Sequence, residues 1–192
     1  YVYDKIATDS WSEGSDLYGG SWTQTDHLYI TQVYSKNLTS GEYTYDYYIG
    51  TNAAYASNTK VTLFNAATGA ALTPGAFIAV GTIQTKSHGT DIFSNGTDTT
   101  TDTTYNILKG KLVTTKAESG TKGTDILGNE STSHSTTTYT YTMDGGNYVY
   151  DKITTDSWSE GSDLYGGSWS QTDHLYITQV YTKNTVSKKY TY

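Results

Sequence analysis

Apolar and polar residues alternate with a period of two along most of this chain. Tyr43, Tyr45, Tyr47 and Ile49 fall on one face of an extended segment, with Thr44, Asp46 and Tyr48 on the other. Phe77, Ala79, Gly81 and Ile83 alternate in the same way with Ile78, Val80 and Thr82, and Leu28, Ile30 and Gln32 with Tyr29, Thr31 and Val33. Tyr139, Tyr141 and Met143 alternate with Thr138, Thr140 and Thr142. Alternation carried by aromatic and β-branched residues is the pattern of half-buried strands. No segment carries the i, i+3, i+4, i+7 apolar stripe of a helix. Ala66 to Ala71 is rich in alanine, but Gly69 interrupts it and Pro74-Gly75 closes it, so it reads as a hairpin connection.

The pattern predicts strands over about 1–9, 26–35, 42–50, 59–65, 76–86, 104–115 and 136–143, then again over 147–155, 173–182 and 188–192. Turn clusters separate them at Gly19-Gly20, Ser40-Gly41, Asn65 to Gly69, Pro74-Gly75, Asn95-Gly96 and Asp144 to Asn147. The polar runs 94–104 and 117–138 read as exposed loops. The expected fold class is all-β, as antiparallel β-sandwich or barrel-like modules.

The strands restart because the sequence restarts. Residues 1–37 and 148–184 are the same stretch, offset by 147 residues, and differ only at Ala7/Thr154, Thr23/Ser170 and Ser35/Thr182. The copies drift after Asn37 and rejoin at Tyr43-Thr44-Tyr45 and Tyr190-Thr191-Tyr192. A long internal period of this kind marks an array. We expect residues 1–147 to form one β-rich module and 148–192 to open the next. The missing initiator Met and the break in mid-pattern at Tyr192 suggest a piece of a longer polypeptide. A fainter motif, Gly-Ser/Thr-Asp-Leu/Ile, begins at Gly14, Gly89, Gly123 and Gly161. It allows an alternative of propeller- or solenoid-like sub-repeats of about 37 residues.

Composition narrows the function. The net charge is -7, from 12 basic and 19 acidic residues, and every basic residue is Lys. Without Arg the bidentate grip on phosphate is missing, which argues against nucleic acid and anionic membranes as partners. No apolar run is long enough to insert in a bilayer. There is no Cys, so disulfides, thiolate metal sites and Cys nucleophiles are excluded. The 20 Tyr and 19 Gly, with long Thr and Ser runs, suit an exposed surface protein.

All four Trp residues (Trp11, Trp22, Trp158, Trp169) lie in the duplicated stretch. With Tyr18 and Tyr29 they are candidates for the contact between repeats or for a platform that stacks on sugar rings. Asp9, Glu13 and Asp16, and their copies Asp156, Glu160 and Asp163, place three carboxylates within eight residues and are candidate calcium ligands. Asp91, Asn95, Asp98 and Asp102 form a second candidate cluster. The bland alternative is carboxylates that cap their own turns. Asn37, Asn95 and Asn129 head Asn-x-Ser/Thr triplets and are candidate glycosylation sites. The Asp26-His27 and Asp173-His174 dipeptides make no catalytic relay, since neighbours in a strand face opposite ways. His88 and His134 read as isolated loop residues. Nothing here declares an enzyme.

Gly14 to Gly20 resembles the glycine- and aspartate-rich nonapeptide of secreted RTX proteins, without its tandem register. The whole chain resembles, in composition and architecture, the tandem-repeat regions of secreted microbial surface proteins: giant adhesins, biofilm-matrix fibres and filament subunits. That resemblance implies an extracellular or cell-surface location and a filament, stalk or adhesive fibre built by stacking or strand-sharing of β-modules. The partner would be the chain itself, with calcium as a stiffening ion. Tyr43 and Tyr45, with their copies Tyr190 and Tyr192, mark the strand that one module would share with the next. The second reading is a carbohydrate-binding module for surface glycans that uses the repeated Trp and Tyr side chains.

Overall fold

A computed structural model describes residues 3–36, 38–39, 41, 43–62, 77–108 and 110–192. Their order begins with six short strands: β1 (Lys5–Ser10), β2 (Glu13–Ser15), β3 (Ser21–Gln24), β4 (Leu28–Lys36), β5 (Tyr43–Gly50) and β6 (Thr59–Thr62). Five long strands follow: β7 (Phe77–Thr90), β8 (Gly96–Leu108), β9 (Lys111–Thr124), β10 (Glu130–Asp144) and β11 (Asn147–Ser162). The chain closes on β12 (Ser168–Ser170), β13 (Leu175–Val180), β14 (Thr182–Lys183) and β15 (Tyr190–Thr191). Among the described residues the only helical piece is a single 3-10 turn, Tyr55–Ser57. The protein is all-β.

Among the described residues every pairing is antiparallel, in three sheets. One sheet runs β1-β4-β5-β6, and the large one runs β12-β11-β10-β9-β8-β7-β3-β2 with β13 also on β11. The third pairs β14 with β15. Among the described residues none closes into a barrel, which corrects that part of the expectation.

The five long strands correct a larger error. Residues 94–104 and 117–138, expected as loops, are mostly β8, β9 and β10. The segment 104–115, expected as one strand, is a hairpin in which β8 ends at Leu108 and β9 starts at Lys111. Polarity was the wrong guide there, because Thr is β-branched and sits well in a sheet even with both faces wet. Its hydroxyls pair across strands, as in Thr99 with Thr121 at 2.8 Å, Thr101 with Ser119 at 3.2 Å and Thr137 with Thr155 at 3.0 Å. The Ala66–Ala71 connection and residues 63–65 of the expected strand 59–65 lie outside the described residues.

The core sits where β4, β5 and β6 lie against the Leu108 end of the large sheet. Tyr47, Val61 and Ile107 form its centre, with Ile30, Tyr45, Ile78, Val80 and Leu112 packed around them. Ile49, Ile107 and Leu108 are wholly buried. The hydroxyls of Tyr45 and Tyr47 both donate to the Gly110 carbonyl at 2.9 Å, which ties the small sheet to the β8–β9 turn. Gly110 has φ +75° there, and a Cβ would stand 2.5 Å from the Tyr45 hydroxyl, so glycine is needed on both counts. Burial, helped by the neighbouring Tyr45, pushes the Tyr47 phenol up to about 12.

Candidate functional site

The duplicated stretch can be compared with itself. β1 pairs β4 with Lys5 opposite Val33 and Ser10 opposite Leu28; β11 pairs β13 with Lys152 opposite Val180 and Ser157 opposite Leu175. Glu13 opposes Thr23 as Glu160 opposes Ser170, and Ser35 opposes Thr44 as Thr182 opposes Thr191. Near-identical sequence takes the same register. The surroundings differ. β11 has β10 along its other side, from Asn147 opposite Asp144 to Ser162 opposite Glu130, while β1 and β2 are the edges of their sheets.

Exposure reports that difference residue by residue. Tyr3 is 69% exposed and its copy Tyr150 40%; Leu17 is 98% exposed and Leu164 67%. Trp11 is 47% exposed, whereas Trp158 is half-buried. At the far edge the sign reverses. Leu175, Tyr176, Ile177 and Val180 are exposed, while Leu28, Tyr29, Ile30 and Val33 are half-buried under β5 and its neighbours. Each copy is therefore covered on the side where the other is open.

Rings mark the covered side. Trp158 stacks on His134 of β10 with centroids 4.1 Å apart, and the row continues to His174 at 5.7 Å and Tyr176 at 5.9 Å. In the first copy the row is Trp11, His27 and Tyr29, at 5.3 and 5.8 Å. It begins one ring later. Each inner histidine is held by a cross-strand carboxylate: Nδ1 of His27 lies 2.9 Å from Asp9, and Nδ1 of His174 lies 2.9 Å from Asp156. Tyr150 stacks on Tyr141 of β10 at 5.0 Å, and Lys183 forms an ion pair with Asp144. The Lys183 and Tyr190 contacts hold the Asp144 carboxyl below the usual carboxylate range.

No protein-family model, curated protein or solved structure matches this chain.

The faint Gly-Ser/Thr-Asp motif proves to be one turn built four times along one rim of the large sheet. Oδ1 of Asp16 accepts from the Tyr18 and Gly20 amides, Asp91 from Phe93 and Asn95, Asp125 from Leu127 and Asn129, and Asp163 from Tyr165 and Gly167, all at 2.8–3.0 Å. Adjacent turns are cross-linked: Oδ1 of Asn95 accepts from the Ile126 amide at 2.9 Å, and Oδ1 of Asn129 from the Leu164 amide at 3.2 Å. Against some desolvation, the Asn95 and Phe93 bonds lower the Asp91 carboxyl; the Asn129 side chain, then its amide, lower that of Asp125. A lowered folded value stabilises above the ordinary carboxylate range, and that contribution is lost as pH falls through the folded value. The urea midpoint is therefore expected to drop as pH falls from about 5 to about 2, and Asp91→Asn with Asp125→Asn is expected to flatten that slope.

The motif glycine, two residues before each Asp, makes room for the opposing side chain. Trp22 lies across Gly14 and Trp169 across Gly161. The nearest atoms to a Cβ at Gly14 would all belong to the Trp22 indole. At Gly161 it would stand 2.6 Å from the Trp169 indole nitrogen and 2.8 Å from the Glu130 backbone carbonyl of β10. A side chain can yield where a paired backbone cannot. Gly161→Ala is therefore expected to lower the melting temperature by several degrees more than Gly14→Ala in parallel thermal melts.

The remaining predicted residues are scattered. Asp9 faces His27, Asp16 is spent on its own turn, and Glu13 lies in β2; the copies Asp156, Glu160 and Asp163 repeat this. Asp98 pairs His88 at 2.7 Å and Asp102 accepts from Gln84 at 3.0 Å, so neither joins Asp91 and Asn95. Among the described residues no group of three or more acidic or His side chains is placed to hold a metal. Asn37 lies outside the described residues, while Nδ2 of Asn95 and of Asn129 donates to the Asp four residues earlier. Tyr43 and Tyr190 oppose Lys36 and Lys183, and Tyr45 reaches the core. The ring of Tyr192 lies 5.5 Å from Tyr181. Among the described residues no helix is long and apolar enough to cross a membrane.

His134 is the member of the site that its Ser/Thr-rich surroundings concealed. The signal lay in the hairpin at Asp144–Asn147. Counting outward from it with one bulge brings His134 opposite Trp158.

Proposed function

We propose that this chain is a length of extracellular or cell-surface structural β-ribbon, in which residues 1–147 are one module and 148–192 open the next. Its work is mechanical, as a filament, stalk or matrix fibre, and not catalytic. One observation carries the reading: the last strand of the period, β10, pairs over fifteen residues with the first strand of the second copy. A period joined to the next by a full ladder transmits load through backbone hydrogen bonds as well as through the covalent chain. The tandem-repeat and layered-module description rests on this joint and on the shared registers of the two copies.

The strand order gives a length. Six strand steps separate β2 from its counterpart in β11, and at about 4.8 Å per step each period adds about 29 Å. Electron micrographs of chains with increasing numbers of periods are expected to show stiff rods that lengthen by about 29 Å per period. Aligned fibres are expected to diffract at about 4.8 Å along the axis. A calcium chelator is expected to leave the rods intact, since the carboxylates already serve histidines and turn amides. Flexible beads, or a length increment far from this value, would overturn the ribbon.

A second reading, glycan binding, has its own observation. Trp22 and Trp169 lie flat on glycine and remain about half exposed, and a groove beside Trp169 is lined by Thr97, Ser131 and Asn129. An exposed indole face bordered by hydroxyls is chemistry that suits a pyranose. Glycan-array binding that disappears in Trp22→Ala with Trp169→Ala, the fold unchanged, would favour it.

A further inference from the structure

We infer that the outer edge of β1 and β2 is a docking site for residues 130–144 of another molecule of this chain, added as an antiparallel strand with His134 opposite Trp11. The inference rests on the structural-ribbon reading and gives that ribbon a contact between molecules.

The argument comes from the second copy. Residues 5–15 and 152–162 differ only at Ala7/Thr154. The second of these segments carries β10 along its whole length, with Thr140 opposite Lys152, His134 opposite Trp158 and Glu130 opposite Ser162. The first carries nothing on that side among the described residues. Subtracting the offset of 147 fixes the docked register: Thr140 opposite Lys5, His134 opposite Trp11 and Glu130 opposite Ser15. The receiving parts are already in position. Trp11 is stacked on His27, as Trp158 is on His174, and its other side is open. Leu17 stands free where Leu164 approaches Gly128 and Asn129.

A row of unpaired backbone donors and acceptors is a template for strand addition, and side chains set which strand fits. Here the side-chain test has already been passed once, within the same molecule. In the donor molecule β10 is held by its own β11. Docking is therefore an exchange of residues 148–192 for residues 1–45 of a neighbour, two nearly identical segments. The bonds broken are replaced in kind, so protein concentration decides the outcome.

The test uses the 192-residue chain and a fluorescently labelled peptide of sequence 130–144, followed by anisotropy. Saturable binding is expected. Trp11→Ala in the chain, or His134→Ala in the peptide, is expected to weaken it about three- to tenfold through the lost ring pair. Trp158→Ala, whose partner is already in place within the chain, is expected to leave it unchanged, with circular dichroism confirming that both variants fold. No binding, or equal loss in Trp11→Ala and Trp158→Ala, would overturn the docking site. Rods in the micrographs with no peptide binding would overturn this inference alone. Binding by a protein that never forms rods would support it and overturn the ribbon.

Discussion

A chain ended at Asn147 is expected to polymerise head to tail, where the same chain with residues 148–192 present grows far less readily. Removing the second copy strips the cover from β10, which then offers fifteen residues of unpaired ladder together with His134 and Tyr141. The opposite end of the same molecule offers β1 and β2, whose sequence differs from that of the segment just removed only at Ala7/Thr154. The two edges match each other and neither matches itself. Such a contact is heterologous and does not close, so it propagates into a filament and does not stop at a dimer. The retained second copy competes because it is tethered, at an effective concentration in the millimolar range for a short connection. Light scattering and micrographs against concentration make the measurement. Growth is expected in the shortened chain, and Thr138→Pro in β10 is expected to suppress it by removing a ladder donor opposite Ala7. A shortened chain that stays a folded monomer at high concentration would mean that strands are not shared.

The parts of this fold that could be read from the sequence are those with one dry face. β4, β5 and β7 alternate apolar with polar because the small sheet and the Leu108 end of the large one bury each other; β4 and β5 end within two residues of expectation, while β7 runs four residues further. β8 to β10 have no comparable contrast over most of their length. Thr97 to Thr104 put hydroxyls or carboxylates on both faces, so a test for alternation sees nothing and a test for polarity sees a loop. The usable signal was the density of β-branched residues between two Asp turns. The turns themselves were visible as a motif, but their spacing of 75, 34 and 38 residues hid the rule behind it. The turn closes the hairpins on one rim of the large sheet (β2–β3, β7–β8, β9–β10 and β11–β12), and the long first interval contains the excursion into β4, β5 and β6.

The site was legible in part for a related reason. Of the recurring Trp residues, Trp158 stacks on His134 of β10, the strand that precedes the second copy. Trp22 and Trp169 recur for a different cause, the glycine beneath them. The acidic loop does concentrate carboxylate oxygens within eight residues. What sequence could not reveal is that cross-strand histidines and turn amides take those oxygens first.

Ile107→Ala is expected to cost about 2–5 kcal/mol, the range for truncating a fully buried aliphatic side chain. Ile107 has no exposed surface and lies at the centre of a cluster with Tyr47 and Val61. The buried hydrophobic core among the described residues is only Tyr47, Ile49, Val61, Ile107 and Leu108, so few neighbours can relax into the hole. Against a typical domain stability of about 5–15 kcal/mol, that loss is a large share. The damage should also be local. The small sheet is held to the large one by this cluster and by the two tyrosine bonds to Gly110, whereas β9, β10 and β11 are held by their own ladders. Urea unfolding is expected to show the lower midpoint, and amide exchange is expected to lose protection in β4 to β6 while β10 and β11 keep theirs. The half-exposed pair Thr101 with Ser119 provides the contrast, since Thr101→Ala removes one hydroxyl bond worth about 1 kcal/mol. Equal costs at the two positions would place the stabilising contacts of this protein in its polar ladders, and the joint between copies would then matter more to folding than the core does.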